Sequence, residues 1–200
     1  MKTMPIYAII LAAGHSARMG KDKYSLTLNG RSSFLSHITR GYLDYGCRCV
    51  VAVLPAGGAG KARAFMTFDS RQLTMVENPD TELGRAHSLC LGLKALPGSA
   101  PVFVHNVDNP ALDHRTLDLL VGELKEGGYA RPVFKGKGGH PIILSATLAA
   151  HIAVNLRPGT QMNTWLKQFP ESQVAANDPG VLININTPEE YARYVQNLNV

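Results

Sequence analysis

The sequence has no apolar run that approaches the roughly 20 residues of a membrane span, and its 200 residues include only three cysteines. Cys47, Cys49 and Cys90 are odd in number and lack the spacing of a zinc site, so neither a disulfide framework nor a structural zinc is expected. Cys47 and Cys49 alternate within a predicted strand, which would place both thiols on one face. Free thiols of this kind indicate a reducing compartment, and we expect a cytoplasmic protein with no membrane partner.

Blocks of basic residues are also missing. The chain has 20 Lys and Arg against 15 Asp and Glu, a net charge of +5, but the basic residues are scattered singly. A diffuse excess of positive charge is usually solvated surface, so no nucleic-acid partner is expected. The same modest charge suits a small polyanionic substrate such as a nucleotide.

The apolar stretch at residues 5–13 is similar to the hydrophobic region of a secretion signal. Only Lys2 precedes it as a basic residue, however, and the segment from Gly14 to Arg18 follows it. We therefore interpret the stretch as a buried strand, and secretion is not expected.

Apolar runs alternate with helical patterns along almost the whole chain. A near-continuous apolar run such as residues 6–13 is typical of a strand that is covered on both faces. Similar runs predict further strands at residues 49–54, 73–76, 101–107, 129–134, 141–144 and 181–185. Periodicity and capping residues predict helices at residues 33–46, 63–68, 89–96, 113–124, 146–155 and 160–169 and after Thr187.

This alternation predicts a doubly wound, mostly parallel α/β sheet flanked by helices. The length is near that of one ordinary domain, so a single domain over residues 1–200 is expected. In open α/β sheets, ligands bind beyond the carboxyl ends of the strands. The residues that follow each apolar run are therefore the candidate functional residues.

The loop after the first predicted strand is rich in small and basic residues. Its glycine spacing, from Gly14 to Gly20, fits neither a Walker A loop nor a dinucleotide fingerprint. Small residues nevertheless let backbone N–H groups surround an anion, and Arg18 and Lys23 add two cations. On residue types alone, a polyphosphate site and a flexible turn are about equally good interpretations.

The same loop closely resembles the signature of the nucleotidyltransferases that modify molybdenum cofactor. More loosely, it is similar to sugar-phosphate and isoprenoid-pathway nucleotidyltransferases. The resemblance continues in the expected order over nearly the whole chain. Its five matching segments are Leu11-Ala12-Ala13-Gly14-x-Ser16-x-Arg18-Met19-Gly20 followed by lysine, Gly84 to Gly92, Val107-Asp108-Asn109-Pro110, Gly139-His140-Pro141 and Asn184 to Glu190.

The resemblance implies the fold of the nucleotide-diphospho-sugar transferases and a set of site residues. The implied catalytic residues are Arg18, Lys23 and Asp108. The implied nucleotide-binding residues are Leu11, Ala12, Ala13, Gly14, Ser16, Arg18, Gly20, Lys23, Asn78 and Ser88. Asp108 and Asn186 are the implied ligands of Mg²⁺, the expected cofactor, and His140 is the implied contact of the acceptor.

This set suits the chemistry, because nucleotidyl transfer joins two anions and the site must shield their charge. Mg²⁺ is typically held by few protein oxygens together with substrate phosphates. Lys23 and Arg18 would stabilise charge on the phosphates as the acceptor attacks. No nucleophilic side chain is required if the acceptor phosphate attacks directly.

Several of these residues have simpler interpretations that stay open. Asp108 is also suited to cap a turn at Asn109-Pro110, Asn186 to lead into the last helix, and His140 to cap a turn. His15 is expected to face solvent, because the family accepts many residues there. The other histidines, including His105, have no metal-ligand spacing and are interpreted as structural or exposed.

Features of two branches of the family occur together. Ala12-Ala13 and Gly139-His140-Pro141 resemble the branch that transfers CMP, whereas residues 20–23 and the Asn-x-Asn-Thr-Pro ending resemble the branch that transfers GMP. The methyl group of Ala13 would narrow the base pocket and favours CTP over GTP. Val107 replaces the glycine that commonly precedes the metal-binding aspartate.

The predicted function is transfer of CMP from CTP to the phosphate of a molybdopterin-type acceptor, with release of pyrophosphate and a molybdoenzyme as the receiving partner. The alternatives are GMP transfer from GTP to the same acceptor, transfer to a sugar or polyol phosphate, and a nucleotide- or cofactor-binding protein without catalysis.

Overall fold

The computed structural model describes residues 4–28, 30–68 and 70–198. In these residues a two-stranded sheet lies beside a central eight-stranded sheet. The small sheet contains β2 (Thr27–Leu28) and β3 (Ser32–Ser33). The strands of the central sheet are β1 (Tyr7–Leu11), β4 (Cys49–Pro55), β5 (Leu73–Asn78), β6 (Val102–Asn106), β7 (Tyr129–Phe134), β8 (Lys137–Gly138), β9 (Ile142–Leu144) and β10 (Glu171–Ala175).

Helices follow most of the strands along the chain. They are α1 (Phe34–Tyr45), α2 (Gly58–Ala64), α3 (Gly84–Lys94), α4 (His114–Gly122), α5 (Ala146–Asn155), α6 (Met162–Leu166) and α7 (Pro188–Asn197). Short 3₁₀ turns occupy Lys23–Ser25, Thr81–Leu83 and Pro179–Leu182. None of the helices in the described ranges combines the length and the apolar character needed to cross a bilayer.

The central sheet is mostly parallel, as predicted. Its strand order is β10-β7-β9-β6-β1-β4-β5, with β8 paired to β7. β1 lies between β4 and β6 and is parallel to both. β5 is parallel to β4, and β10 is parallel to β7. The exceptions are β9, which is antiparallel to β6 and β7, and β8, which is antiparallel to β7.

Both faces of the sheet are covered, which explains the near-continuous apolar run of β1. Ala8 and Ile10 belong to one buried cluster together with apolar residues of α1 and α4. Ile9 belongs to a second cluster with residues of α3 and α5. The α3 helix comes so close to the sheet that a Cβ on Gly92 would lie 2.8 Å from Cγ2 of Ile9.

The topology places two loops side by side at one edge of the sheet. Leu11 and Asn106 are register partners at the ends of β1 and β6, and the Val107 N–H donates to the Leu11 carbonyl at 3.1 Å. The loop that follows β1 therefore lies next to Asp108.

The prediction of a strand at residues 181–185 was wrong. This stretch begins inside the 3₁₀ turn Pro179–Leu182, where the Asp178 carboxylate accepts the Gly180 N–H at 2.7 Å. The Ile185 N–H donates to the Asp108 carbonyl at 2.8 Å. Val181 and Ile185 are buried here without pairing in the sheet.

Three helix predictions were also misplaced. The helix expected at residues 89–96 is α3, which starts earlier, at Gly84, and ends at Lys94. The helix expected at residues 63–68 starts earlier, at Gly58, because the Glu77 carboxylate accepts the N–H groups of Gly57 and Ala59 at 3.1 and 2.9 Å. The helix expected at residues 160–169 is confined to Met162–Leu166. The strand β10 was not predicted, and it buries only Ser172 and Val174.

The prediction that Cys47 and Cys49 lie on one face was wrong. All three cysteines are buried and free, and burial raises the pKa of the Cys47 thiol to about 12. Cys47 and Cys49 belong to opposite apolar clusters, however, because β4 begins only at Cys49.

Candidate active site

A hollow of about 280 Å³ lies at the carboxyl ends of β1 and β6, and we call it the central hollow. Its lining residues come from the loop after β1, the first turns of α3, the end of β6 and the segment before α7. They are Leu11, Ala12, Ala13, Gly14, His15, Arg18, Lys23, Thr81, Gly84, Arg85, Ser88, Asn106, Val107, Asp108 and Asn186.

Three predicted site residues meet in this hollow from distant parts of the chain. The Nζ atom of Lys23 lies 2.7 Å from Oδ1 of Asn186 and 3.3 Å from Oδ2 of Asp108. The Lys23 and Asp108 side chains are only 14% and 11% exposed. The backbone of Lys23 is held as well, since its N–H donates to Oγ of Ser16 at 3.3 Å.

The Asp108 carboxylate faces this cluster and does not cap the turn that follows it. Among the described residues, no backbone N–H donates to it, and the Asn109 N–H bonds instead to the Asn106 carbonyl at 3.0 Å. Oδ2 pairs with Lys23, whereas Oδ1 is buried and has no hydrogen-bond partner in the described part of the chain. Asp108 therefore keeps an acceptor oxygen available for a further ligand.

Asn186 combines both interpretations made for it. Its backbone N–H donates to the Glu190 carboxylate at 2.6 Å, next to the capping box that Thr187 and Glu190 form at the start of α7. Its side-chain oxygen points to Lys23. The turn into the last helix thus presents an amide oxygen to the central hollow.

The loop after β1 leaves donors free. The Met19 and Gly20 N–H groups both bond to the Ser16 carbonyl at 3.0 Å, which holds the turn. Within the described part of the chain, the N–H groups from Gly14 to Arg18 donate no hydrogen bond, and the exposed Arg18 side chain has no polar partner. This arrangement favours an anion-binding loop over a plain turn.

Three of the predicted nucleotide-binding residues, Ser16, Gly20 and Asn78, do not line the central hollow. Asn78 is fully buried, and its Nδ2 donates to Oγ of Ser88 at 3.0 Å, so it orients a lining residue from beneath. Ser16 and Gly20 shape the loop. Ser88 itself lines the hollow, as expected.

A second hollow of about 370 Å³ adjoins the first, and we call it the side hollow. The two share Leu11, Arg85 and Asn106. The other lining residues come from β6, the β7–β9 region and the start of α6. They are Val104, Arg131, Gly138, Gly139, His140, Ile142, Thr160, Gln161, Met162, Asn163 and Leu166.

The sequence analysis predicted Arg18 but missed Arg85 and Arg131, which also line these hollows. Arg85 lines both hollows. It could have been predicted, because it directly follows Gly84 in one of the five segments that match the family. Arg131 lines the side hollow and lies 2.9 Å from a Glu171 carboxylate oxygen on β10. No local pattern marks Arg131, because its place depends on the pairing of two strands. His15 is exposed, as predicted.

His140 lines the side hollow as a neutral imidazole. Burial lowers its pKa to about 4, even though Asp108 attracts a proton toward it. Its Nε2 accepts from Nδ2 of Asn106 at 3.1 Å, which leaves the proton on Nδ1, a buried atom with no partner in the described residues. Any contact with an acceptor phosphate is therefore a hydrogen bond and not an ion pair.

His105 is a structural histidine beneath the site. It is fully buried, its Nδ1 accepts from the Tyr42 hydroxyl at 2.8 Å, and its Nε2 donates to the Asn109 carbonyl at 2.6 Å. These bonds hold the turn that follows Asp108. Burial lowers the pKa of His105 to about 3.

We expect the protein to lose stability in mild acid because of this histidine. Its pKa lies near 3 when folded and at the ordinary 6.5 when unfolded, so the unfolded state takes up the proton first. Above pH 6.5 His105 is neutral in both states, so it adds no pH dependence to the stability there. As pH falls below 6.5, this site lowers the free energy of unfolding by up to about 1.4 kcal/mol per pH unit.

Urea unfolding at pH 7, 6 and 5 measures this slope. His105→Gln should reduce it, whereas His151→Gln, at an exposed histidine, should not. An equal slope in wild type and His105→Gln would contradict the assignment.

A family model for the MobA-like NTP transferase domain matches residues 8–174. The chain belongs to this family. The match includes the loop after β1, α3, Asp108 and His140. It ends before Asn186, so this residue's contact with Lys23 is a finding of the structure.

Individual relatives agree with the family and differ in their named roles. The 2-C-methyl-D-erythritol 4-phosphate cytidylyltransferase of Shewanella halifaxensis is 33% identical over 130 residues, which are 60% of this chain and 52% of the relative. The purine catabolism protein PucB of Bacillus subtilis is 29% identical, with 96% of both chains covered. The chain covers about half of the length of this cytidylyltransferase, and 27% and 58% of the length of two further curated relatives.

A solved structure shows the same fold at low identity. It is a nucleotidyl transferase from Methanothermobacter, with a TM-score of 0.78, 20% identity and 98% of both chains covered. The doubly wound fold predicted from the sequence is confirmed.

Proposed function

We propose that this protein is a nucleotidyltransferase that binds a nucleoside triphosphate in the central hollow and transfers its nucleoside monophosphate to a phosphate-bearing acceptor in the side hollow. The observation that carries the proposal is the meeting of Lys23, Asp108 and Asn186 beside a loop with free N–H groups. The family supports the same chemistry.

The chain's own residues suit the binding of a triphosphate. The free N–H groups from Gly14 to Arg18 form a concave donor surface. Arg18 at the rim offers a planar fork of donors, and Lys23 offers a point charge on a flexible stem. Once a triphosphate is bound, both cations can lie beside its phosphates before the transfer starts, and charges placed in this way stabilise a transition state.

Asp108 and Asn186 fit Mg²⁺ as the cofactor of this reaction. They offer an unpartnered carboxylate oxygen and an amide oxygen, and both are hard ligands of the type that Mg²⁺ prefers. The described residues contain no group of three His, Cys, Asp or Glu that could hold a metal, so substrate phosphates would complete the coordination. When bound, Mg²⁺ would neutralise phosphate charge.

The side hollow suits an acceptor that carries its own phosphate. Arg85 lies between the two hollows, and the neutral His140 has a buried Nδ1 proton to donate. An oxygen of the acceptor phosphate attacks the α-phosphorus, the bond to the β-phosphate oxygen breaks, and pyrophosphate leaves. The chain needs no nucleophilic side chain for this step.

Our proposed donor is CTP and our proposed acceptor is a molybdopterin-type phosphate, destined for a molybdoenzyme. Ala13 lines the central hollow, where its methyl group favours the smaller pyrimidine base. The similarity to a cytidylyltransferase supports the same donor. That relative's name also supports a second candidate acceptor, a polyol phosphate.

Pyrophosphate release tests this proposal directly. We expect release with CTP to exceed release with GTP, and to require both Mg²⁺ and an acceptor. Molybdopterin and 2-C-methyl-D-erythritol 4-phosphate are supplied in parallel as acceptors. Release only with the polyol phosphate would overturn the molybdopterin assignment, and GTP as the better donor would overturn the argument from Ala13. If no combination of nucleotide and acceptor gives pyrophosphate release, the result would favour a nucleotide-binding protein without catalysis.

A further inference from the structure

We propose that Lys23 is a displaceable counter-ion that keeps a free divalent cation out of the site until the phosphates of a nucleotide draw its ammonium away. This inference rests on the proposed function, because it assigns Asp108 and Asn186 to a metal and Lys23 to phosphates at successive stages of the same binding event.

The geometry makes the ammonium and a metal ion mutually exclusive. Nζ of Lys23 lies 2.7 Å from Oδ1 of Asn186 and 3.3 Å from Oδ2 of Asp108, which are the two side chains that fit Mg²⁺. A magnesium ion sits about 2.0–2.1 Å from its oxygen ligands. An ion shared by these two side chains would need the space that Nζ now holds.

Burial makes the exchange costly unless Lys23 finds another anion. Asp108 and Lys23 are 11% and 14% exposed, and separating a buried pair leaves a charge without compensation. Oδ1 of Asp108 is buried and has no hydrogen-bond partner among the described residues, so the carboxylate can accept a further ligand only after the cluster opens. A bare divalent cation must open this cluster and leave an ammonium unpaired beside it.

A nucleotide removes that cost. Lys23 is anchored through its N–H to Ser16, within the loop whose free N–H groups form the proposed phosphate site. The flexible four-carbon stem of lysine can carry Nζ from Asp108 to a phosphate bound there. Metal and nucleotide therefore bind with positive coupling, each favouring the other by the same factor.

The test is the affinity for Mn²⁺ alone, measured by electron paramagnetic resonance without nucleotide or acceptor. We expect Lys23→Met to bind Mn²⁺ about tenfold more tightly than wild type, because a cation in direct contact with the ligands is gone. Arg18→Met is the matched control. It removes the same charge from the same hollow. Among the described residues Arg18 forms no hydrogen bond or ion pair with Asp108, whose partner is Lys23, so we expect a change of less than about twofold.

Nucleotide binding in EDTA provides the second readout, and we expect both variants to weaken it. The double variant Lys23→Met with Asp108→Asn should lose the tighter Mn²⁺ binding, which locates the ion. The proposal is overturned if Lys23→Met binds Mn²⁺ no more tightly than wild type or Arg18→Met, or if the double variant keeps the gain.

The two proposals can fail separately. Tighter Mn²⁺ binding in Lys23→Met, combined with no pyrophosphate release by wild type, would uphold the counter-ion and overturn the transferase. If wild type releases pyrophosphate but Lys23→Met binds Mn²⁺ no more tightly than wild type, the transferase proposal is upheld and the counter-ion proposal is overturned.

Discussion

Asp108→Ala is expected to lower the rate of pyrophosphate release by about 10²–10³-fold, the loss typical of removing one preorganised electrostatic contact to a transition state. The carboxylate is the only acidic side chain among the described residues that line the central hollow. Without it, a metal ion would keep only the amide oxygen of Asn186 as a protein ligand.

The fold should survive this change. Lys23 keeps its bond to Asn186 at 2.7 Å, and the backbone carbonyl of residue 108 still accepts the Ile185 N–H. Steady-state rates with CTP, together with circular dichroism and the melting temperature, check both expectations. Asp118→Ala is the control, because this exposed carboxylate on α4 lines neither hollow and, among the described residues, accepts only from the Tyr45 hydroxyl. A folded Asp108→Ala protein with wild-type turnover would remove Asp108 from the site.

The parallel core of the sheet could be predicted because its strands are buried on both faces. In β1 and β4, successive residues alternate between two apolar clusters, so the sequence has a continuous apolar run and not an alternation. β10 lacks that signal. Only Ser172 and Val174 of its five residues are buried, and a buried serine does not register as an apolar position.

The error at residues 181–185 has a different cause. Val181 and Ile185 are buried, so burial was correctly inferred, but burial does not imply pairing in a sheet. Their backbone bonds go to the site, because Val181 O accepts from His140 and Ile185 N–H donates to Asp108. Such irregular backbone is specified by tertiary partners that no local pattern reveals.

The residues of the site also fall into those that local sequence patterns predict and those that only the folded chain brings together. Lys23, Asp108 and Asn186 were predicted because each belongs to a motif with its own residue pattern. The side hollow was foreseen only through His140, since Arg131 enters it by the pairing of β7 with β10. That histidine's neutral state could not be predicted either, because burial lowers its pKa and burial is a property of the folded chain.

Gly139→Ala is expected to lower kcat/KM for the acceptor by about a hundredfold, the cost of a misplacement of about 1 Å in a catalytic site. A Cβ at Gly139 would collide with the carbonyl oxygen of Val181 and would lie 2.9 Å from its Cβ. The same carbonyl accepts the His140 N–H at 2.8 Å and Nδ2 of Asn109 at 3.2 Å. Because rigid backbone must shift, His140 and the turn after Asp108 move together.

The affinity for CTP should change much less than the acceptor kinetics, because Gly139 does not line the central hollow and the three atoms nearest the added methyl group all belong to Val181. Overpacking should also cost about 1–3 kcal/mol of stability. Gly122→Ala is the matched control: an added Cβ there meets nothing within 4 Å, and alanine favours a helix such as α4. Titration of the acceptor at saturating CTP separates the two effects. Wild-type kinetics in Gly139→Ala would show that the Val181 carbonyl does not position the acceptor side of the site. An equal loss of kcat/KM in Gly122→Ala would show that the effect is general destabilisation.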